Sequence, residues 1–295
     1  MNAPAPAPIV LHRLHELWVH TGTACNLACP FCHEGSKPGD ARIGAPKLSQ
    51  LAPRLDEASA LGVERFAFTG GEPLILKGIL DILLHALNLR PALVLTKGTA
   101  PFIRRTHQLA QLRQAPHPLS FRVSLDHADE ARHDAARGLK NFRKALEGLK
   151  LLHAAGFEVG ITRQAASDED AAAIDARFRQ LLRRQGLPQD LPIVALPDLA
   201  AFGETAKLPS GGAPTEESKV MPACARSRMA LLRGGTLRLQ ACPLTDDVEG
   251  FDTGDSLHQA LQARVVTDHP RCAVCRSRGV DYIGAAAQKD MLAPR

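Results

Sequence analysis

Aromatic side chains and long apolar runs are both scarce in this sequence of 295 residues. Aromatic residues make up 4%, with one Trp and one Tyr, while hydrophobic residues of all kinds make up 45%, so the core must be mainly aliphatic. No apolar run approaches the roughly 20 residues that a membrane-spanning helix needs. The first eight residues, an Ala/Pro string, lack the basic and apolar regions of a secretory signal. We therefore expect a cytoplasmic protein without a membrane partner.

A strong charge of either sign is also absent. The formal net charge is +5, and no run of Lys and Arg is interleaved with aromatic residues. This pattern argues against a nucleic-acid partner, because nucleic-acid interfaces concentrate basic residues on one surface. The weak basic excess is compatible with an anionic substrate or cofactor.

The sequence does contain seven cysteines, an odd number. Disulfides are rare in cytoplasmic proteins, and an odd count does not allow complete pairing. The cysteines are therefore predicted to be thiolate ligands of iron or zinc.

Short apolar segments alternate with helical segments over the first two thirds of the chain. The strands are predicted at 17–21, 65–69, 92–96, 120–125, 158–162 and 192–196, and the helices at 47–61, 80–89, 100–114, 140–155 and 168–185. This alternation predicts an α/β fold with a parallel sheet, either open or a partial barrel. In both arrangements the chemistry lies at the carboxyl ends of the strands.

The composition divides the chain into four parts. Residues 1–8 are predicted to be a flexible leader, 9–205 the α/β domain, 206–220 a linker rich in Gly and Pro, and 221–295 a small Cys-rich domain. The last part is too small for a large core, so an inorganic site is expected to help it fold.

Cys25, Cys29 and Cys32 follow the first predicted strand within eight residues. Three thiolates can hold three irons of a four-iron cluster and leave the fourth iron free for chemistry. A structural zinc ion is the alternative, since His33 is available as a fourth ligand.

The spacing Cys-x3-Cys-x2-Cys, with Phe31 before the third Cys, resembles the radical S-adenosylmethionine (SAM) superfamily. Three further motifs follow at successive strand ends: Thr-Gly-Gly-Glu-Pro-Leu at 69–74, Thr-Lys-Gly-Thr at 96–99 and Ser-Leu-Asp at 124–126. The resemblance covers residues 15–165 and implies a partial (β/α)6 TIM barrel. It also implies a SAM-binding [4Fe-4S] cluster on the three cysteines and an electron donor of the flavodoxin or ferredoxin type.

The resemblance implies reductive cleavage of SAM to a 5′-deoxyadenosyl radical, which abstracts a hydrogen atom from the substrate. It assigns SAM contacts to Phe31 at the adenine, to Gly70 and Gly71 where the backbone comes close, and to Glu72 at the methionine amino group. It also assigns Ser124 and Asp126 to the ribose hydroxyls, with the carboxylate as the alternative for Ser124, and Arg163 to the carboxylate.

Four of these residues also have an ordinary structural interpretation. Phe31 can be a core residue, and Arg163 a surface residue. Glu72 can be an acid at a helix N-terminus, and Asp126 can cap the segment that follows it.

The other cysteines, Cys224, Cys242, Cys272 and Cys275, all lie in the Cys-rich part. This part resembles the twitch domain, a shortened relative of the SPASM domain, with Gly234-Gly235 in an expected hairpin. The resemblance implies an auxiliary [4Fe-4S] cluster with four Cys ligands; a zinc ion held by the four thiolates is the alternative. The two sites use every cysteine, so no thiol remains to return a hydrogen atom to a substrate radical.

Three functions are consistent with these observations. The first is a net oxidation or rearrangement of a small molecule, with the auxiliary cluster as electron acceptor and His127 as a candidate base. The second is a maturase that modifies a peptide or protein, with any leader-recognition domain supplied by a partner. The third is a zinc-binding interaction protein on a decayed radical SAM fold. The molybdenum-cofactor cyclase is similar in plan, but its auxiliary cluster usually has three Cys ligands and its chain ends in Gly-Gly.

Overall fold

The computed structural model describes residues 8–165, 169–201, 203–205, 221–245, 248–278 and 280. The predicted linker and all of the predicted leader except Pro8 lie outside these residues.

A single large sheet organises the described part of the chain. The strands are β1 (Ile9–Val10), β2 (Glu16–His20), β3 (Arg65–Thr69), β4 (Ala92–Thr96), β5 (Leu119–Ser124), β6 (Glu158–Gln164), β7 (Ile193–Leu196), β8 (Ser227–Arg233), β9 (Thr236–Gln240) and β10 (Arg264–Val265). Eight of them pair in the order β7-β6-β5-β4-β3-β2-β8-β9, and β1 pairs with β10 separately. Strands β2 to β7 are parallel to one another, which confirms the six predicted strands.

Helices follow most of the parallel strands. They are α1 (Leu48–Ala60), α2 (Ile79–Leu89), α3 (Ala100–Ile103), α4 (Thr106–Ala110), α5 (Glu130–Arg137), α6 (Asn141–Ala154), α7 (Ala171–Arg184), α8 (Leu257–Gln262) and α9 (Pro270–Arg278). The helix predicted over 100–114 is instead divided into α3, α4 and a 3-10 turn, and α5 was not predicted. No helix in the described ranges is long and apolar enough to cross a membrane.

Alternate side chains of each central strand pack on opposite faces of the sheet. Leu17 and Val19 belong to the larger hydrophobic cluster, between the sheet and the helices. Trp18 and Ala67 belong to a second cluster, which also contains the four cysteines of the tail. Both faces are therefore buried, as expected for a parallel sheet. The pattern is that of a mostly parallel α/β sheet of partial-barrel type.

The first hairpin of the Cys-rich part extends the large sheet. Strand β8 pairs in parallel with β2, and β9 returns antiparallel to β8 through Gly234 and Gly235, whose φ angles are 57° and 82°. Such positive φ values are easy only for glycine, so the predicted hairpin has a conformational reason. The hairpin thus lies next to β2, the strand that leads into the first cysteine motif.

Candidate functional site

A pocket of about 150 Å³ lies at the carboxyl ends of the parallel strands. We call it the inner pocket. Its wall contains nine of the predicted site residues: Cys25, Cys29, Phe31, Cys32, Gly70, Gly71, Ser124, Asp126 and Arg163. The parallel strands bring these residues together because their carboxyl ends meet at one edge of the sheet. Glu72 and His127 do not line this pocket.

The three cysteines lie on a loop that is tied down by backbone hydrogen bonds. The Cys25 amide donates to the Lys37 carbonyl at 3.2 Å, and the Cys32 amide donates to the Cys29 carbonyl at 3.1 Å. Burial raises the pKa of the Cys25 and Cys29 thiols, and the positive charge of Lys97 opposes this in both.

A second cation, Arg137, also lines the inner pocket and lies close enough to Cys29 to oppose the rise in its pKa. Three thiols with two neighbouring cations in one pocket suit a negatively charged iron–sulfur cluster, because the cations offset the charge of the thiolates. The donor set and its charge environment therefore fit a cluster held by three cysteines.

Gly71 lies against the backbone of the cysteine loop. Its amide donates to the Gly22 carbonyl at 2.9 Å. A Cβ atom at this position would stand 2.1 Å from the carbonyl oxygen of Ala24, the residue before the first cysteine. Only glycine allows this close approach of the two backbones.

We expect Gly71→Ala to displace the cysteine loop, because the clash is with backbone that cannot rotate away. The loss of stability should be about 1–3 kcal/mol, as for other overpacked sites, and iron binding at the three cysteines should fall. Iron content and thermal unfolding measure both effects. Gly250→Ala is the control, since a Cβ there meets nothing within 4 Å. Equal behaviour of the two variants would contradict this account of Gly71.

Glu72 is buried, and its carboxylate holds neighbouring turns together. Oε1 accepts from the Leu74 amide at 3.1 Å and from the Thr96 hydroxyl at 2.9 Å. Oε2 accepts from the Lys97 amide at 2.8 Å. These contacts correspond to the structural interpretation of Glu72, as the N-cap of the 3-10 turn Pro73–Ile75. Its predicted contact with a methionine amino group remains a prediction.

Asp126 is buried and bound on both carboxylate oxygens. Arg137 donates to both oxygens through Nε and Nη2, and the Gln164 amide donates to Oδ1 at 3.1 Å. Although burial favours the neutral acid, Arg137 holds the pKa of Asp126 below its usual range. The cap of the following helix is Asp129, which accepts from the Arg132 amide, so the capping interpretation of Asp126 is wrong.

Arg137 is a site residue that the sequence analysis missed. Besides binding Asp126, its guanidinium lies 5.2 Å from the centre of the Phe31 ring, a cation–π contact. His133, four residues earlier on α5, accepts from the Asp126 amide through Nδ1 at 3.3 Å. Positions i and i+4 lie on one helix face, so the His-x3-Arg spacing could have indicated a shared target.

Acid is expected to destabilise the protein through His133. Burial, reinforced by the charge of Arg137, lowers the pKa of His133 from 6.5 to about 4. The folded state therefore keeps this imidazole neutral, while the unfolded chain takes up a proton below pH 6.5. Stability is fully present above pH 6.5 and is lost as the pH falls towards 4.

His133→Asn should remove this loss of stability in acid. The variant should take up about one proton fewer than the parent protein when it unfolds at pH 5. Anaerobic urea denaturation at pH 7.5 and 5 measures the difference in midpoint. The exposed His153, changed to Asn, is the matched control. If His133→Asn and the parent protein lose equal stability between the two pH values, the neutral state of His133 is contradicted.

Arg163 is buried, so its interpretation as a surface residue is wrong. Its guanidinium pairs with Glu169 at 2.5 Å and approaches Asp175 at 3.7 Å. It lines both the inner pocket and a second, open cavity of about 650 Å³, which we call the outer groove. His127 lines this groove, and burial lowers its pKa.

Glu34 is a second site residue that the sequence analysis missed. It lines the inner pocket two positions after Cys32, and the His20 Nε2 lies 3.6 Å from its Oε2. Burial opposes ionisation, but His20 and His33 hold the pKa of Glu34 well below its usual range. The His20 Nδ1 accepts from the Gly22 amide at 3.1 Å, which leaves Nε2 as the nitrogen that faces Glu34.

The four cysteines of the tail are all buried in the second hydrophobic cluster. Burial and the negative charges of Cys242, Cys275 and Cys272 raise the pKa of Cys224 to about 12. The buried Arg228 donates to the Cys224 carbonyl at 2.7 Å. We call these four residues the tail site. Within the described residues, no three His, Cys, Asp or Glu side chains are arranged to hold a single metal ion.

Comparison with known proteins identifies a family and several relatives. Residues 19–164 match the model of the radical SAM superfamily. A GTP 3′,8-cyclase of Mycolicibacterium smegmatis is 33% identical over 167 residues, which cover 53% of this chain and 44% of the relative. The mycofactocin maturase MftC of the same species is 31% identical over 166 residues, which cover 54% of this chain and 41% of the relative. The match therefore spans less than half the length of each relative.

Similarity to solved structures extends to the fold. The crystal structure of Streptococcus suis SuiB bound to the precursor peptide SuiA matches with a TM-score of 0.53 at 16% identity. This match covers 64% of the present chain and 40% of the SuiB chain.

Proposed function

Because residues 19–164 form a domain of the radical SAM superfamily, we propose that the chain is an enzyme that abstracts a hydrogen atom from a substrate in the inner pocket. The observation that supports this proposal best is the shared wall of that pocket. This wall contains the three cysteines together with Gly70, Gly71, Ser124 and Arg163.

Cys25, Cys29 and Cys32 would hold a [4Fe-4S] cluster, and the remaining wall would hold SAM. When bound, the cluster and SAM supply a 5′-deoxyadenosyl radical. Gly70 and Gly71 let the backbone approach the methionine part, where a side chain would not fit. Phe31 offers a ring face to adenine, Ser124 a hydroxyl to the ribose, and Arg163 a fixed positive charge to the carboxylate.

Arg137 positions this machinery. It holds the Asp126 carboxylate and lies over Phe31, so it fixes two of the proposed SAM contacts at once. Lys97 fixes a third, because its Nζ donates to the Gly70 carbonyl at 3.3 Å. These contacts hold the pocket residues in one arrangement before SAM binds, which lowers the free-energy cost of ordering their side chains on binding.

For the net reaction we propose an oxidation, with a second [4Fe-4S] cluster at the tail site as the electron acceptor. Four thiolates complete the coordination of such a cluster and leave no iron free for substrate. The tail site shares its hydrophobic cluster with Trp18, which also lines the inner pocket. The two sites therefore lie on the same face of the sheet. His127 as the base, the twitch-like domain and a flavodoxin or ferredoxin donor belong to this proposal.

Binding of SAM next to the cluster tests the proposal without any substrate. The dithionite-reduced protein should give the electron paramagnetic resonance signal of a reduced four-iron cluster, and SAM should change that signal. Arg163→Gln should raise the SAM concentration that gives half of the signal change about tenfold, since one charge-assisted hydrogen bond to SAM is lost. Arg179→Gln, on the exposed part of α7, is the control. An unchanged signal at saturating SAM would contradict the proposed function.

A further inference from the structure

The outer groove continues the inner pocket towards solvent. The two share Phe31, Asp126, Arg163 and Gln164 in their walls. One side of the groove is formed by the loop after β5 and the start of α5, and the other side by α7. A ligand in this groove therefore extends directly to the pocket where we place the chemistry.

Exposed arginines outnumber exposed carboxylates on the rim of the groove. Arg132, Arg177 and Arg184 line it and are exposed. The acidic residues of the wall are already engaged by protein donors. Asp126 is bound by Arg137, Glu169 is bound by Arg163, Asp129 caps α5, and Asp198 accepts from Gln164 and from the Ala200 amide. Amide donors leave the charge of Asp129 and Asp198 in place, and both are exposed. Three exposed arginines therefore face two exposed carboxylates, and the rim keeps a small excess of positive charge.

The side formed by α7 combines charge with apolar surface. Ile174, Arg177, Leu181 and Arg184 follow the i, i+3, i+7, i+10 spacing, so they lie along one face of the helix. Ile174 and Leu181 are half-buried and alternate with the two arginines along this face. Arg177 and Arg184 are separated by seven residues, or about 10 Å along the helix.

We propose that the outer groove binds an acidic segment of a peptide substrate, with carboxylates on Arg132, Arg177 and Arg184 and apolar side chains on Ile174 and Leu181. This inference deepens the proposed function, on which it rests, by naming the substrate class. In a peptide with the polyproline II conformation, residues i and i+3 lie on the same side about 9 Å apart, which is close to the spacing of Arg177 and Arg184. A phosphate ligand gives no partner for Ile174 and Leu181, whereas a peptide supplies both carboxylates and apolar side chains.

Fluorescence anisotropy with a dye-labelled peptide of repeated Glu-Leu-Ser units tests this inference on the anaerobically reconstituted protein. Binding is measured without turnover, so it is independent of whether SAM is cleaved. The peptide should bind more tightly than its Lys-Leu-Ser counterpart and should bind more weakly at higher salt. Arg177→Glu and Arg184→Glu should each weaken binding about fivefold, because each adds repulsion as well as removing attraction.

Arg183→Glu is the matched control, since it makes the same charge change on the same helix outside the groove. It should change the affinity by less than about twofold. An equal loss in Arg183→Glu and Arg177→Glu would show only general attraction to a basic helix and would overturn the inference. Binding of inorganic tripolyphosphate that depends on Arg177, with no binding of the acidic peptide, would overturn the peptide assignment.

Discussion

Cys29→Ala should abolish the formation of 5′-deoxyadenosine from SAM and lower the iron content from about eight to about four atoms per chain. The thiol of Cys29 lines the inner pocket together with those of Cys25 and Cys32, and the chain offers no other cysteine there. With two thiolates left, the cluster loses an iron ligand and does not persist. Iron analysis and chromatography of the reaction products measure both quantities.

The iron that remains in Cys29→Ala should belong to the tail site, which the substitution does not touch. A variant that retained eight irons, or that still produced 5′-deoxyadenosine at the parent rate, would contradict the assignment of the three cysteines.

Cys272→Ala should have the reciprocal effect. The iron content should again fall from about eight to about four, but 5′-deoxyadenosine should still form at a rate within about twofold of the parent, because the inner pocket keeps all its residues. The melting temperature should fall by several degrees, since the proposed cluster would join the turn before β8, the segment after β9 and helix α9.

The same variant separates iron from zinc in the tail. If the tail site holds zinc, the parent protein contains about four irons and one zinc, and Cys272→Ala loses the zinc only. That result would remove the electron acceptor from the proposed oxidation while leaving the radical SAM domain intact.

The parallel strands could be predicted to within two residues because most of them are buried on both faces. Such strands are continuous apolar runs, and β3 and β4 begin and end at the predicted residues. The breaks between α3 and α4 could not be predicted, because the segment has a helical composition throughout and its breaks depend on the packing of neighbouring elements.

Helix α5 could not be found from hydrophobic periodicity. Its residues buried most deeply are His133 and Asp134, which are polar. Asp134 accepts from the Lys140 and Phe142 amides and so supports the start of α6. A helix that is held by hydrogen bonds to its neighbours gives no apolar pattern for the sequence to reveal.

The residues of the candidate site also fall into those that the sequence predicts and those that it does not. The motif residues could be predicted because their spacing is local, and the fold brings eight of them, together with Arg163, to one wall. Arg137 and Glu34 were missed, because their importance depends on contacts with Asp126 and His20 that no motif contains. Glu72 shows the opposite case: it belongs to a motif, but its carboxylate is occupied by the Leu74 amide and by donors of the next motif, Thr96 and Lys97.

Iron, sulfide and zinc per chain, measured on anaerobically reconstituted protein together with 5′-deoxyadenosine formed under dithionite, test the central claim most directly. The account predicts about eight irons, about eight sulfides and no zinc, with 5′-deoxyadenosine produced from SAM. Little iron and no 5′-deoxyadenosine would contradict the claim that the three cysteines of the inner pocket support radical chemistry.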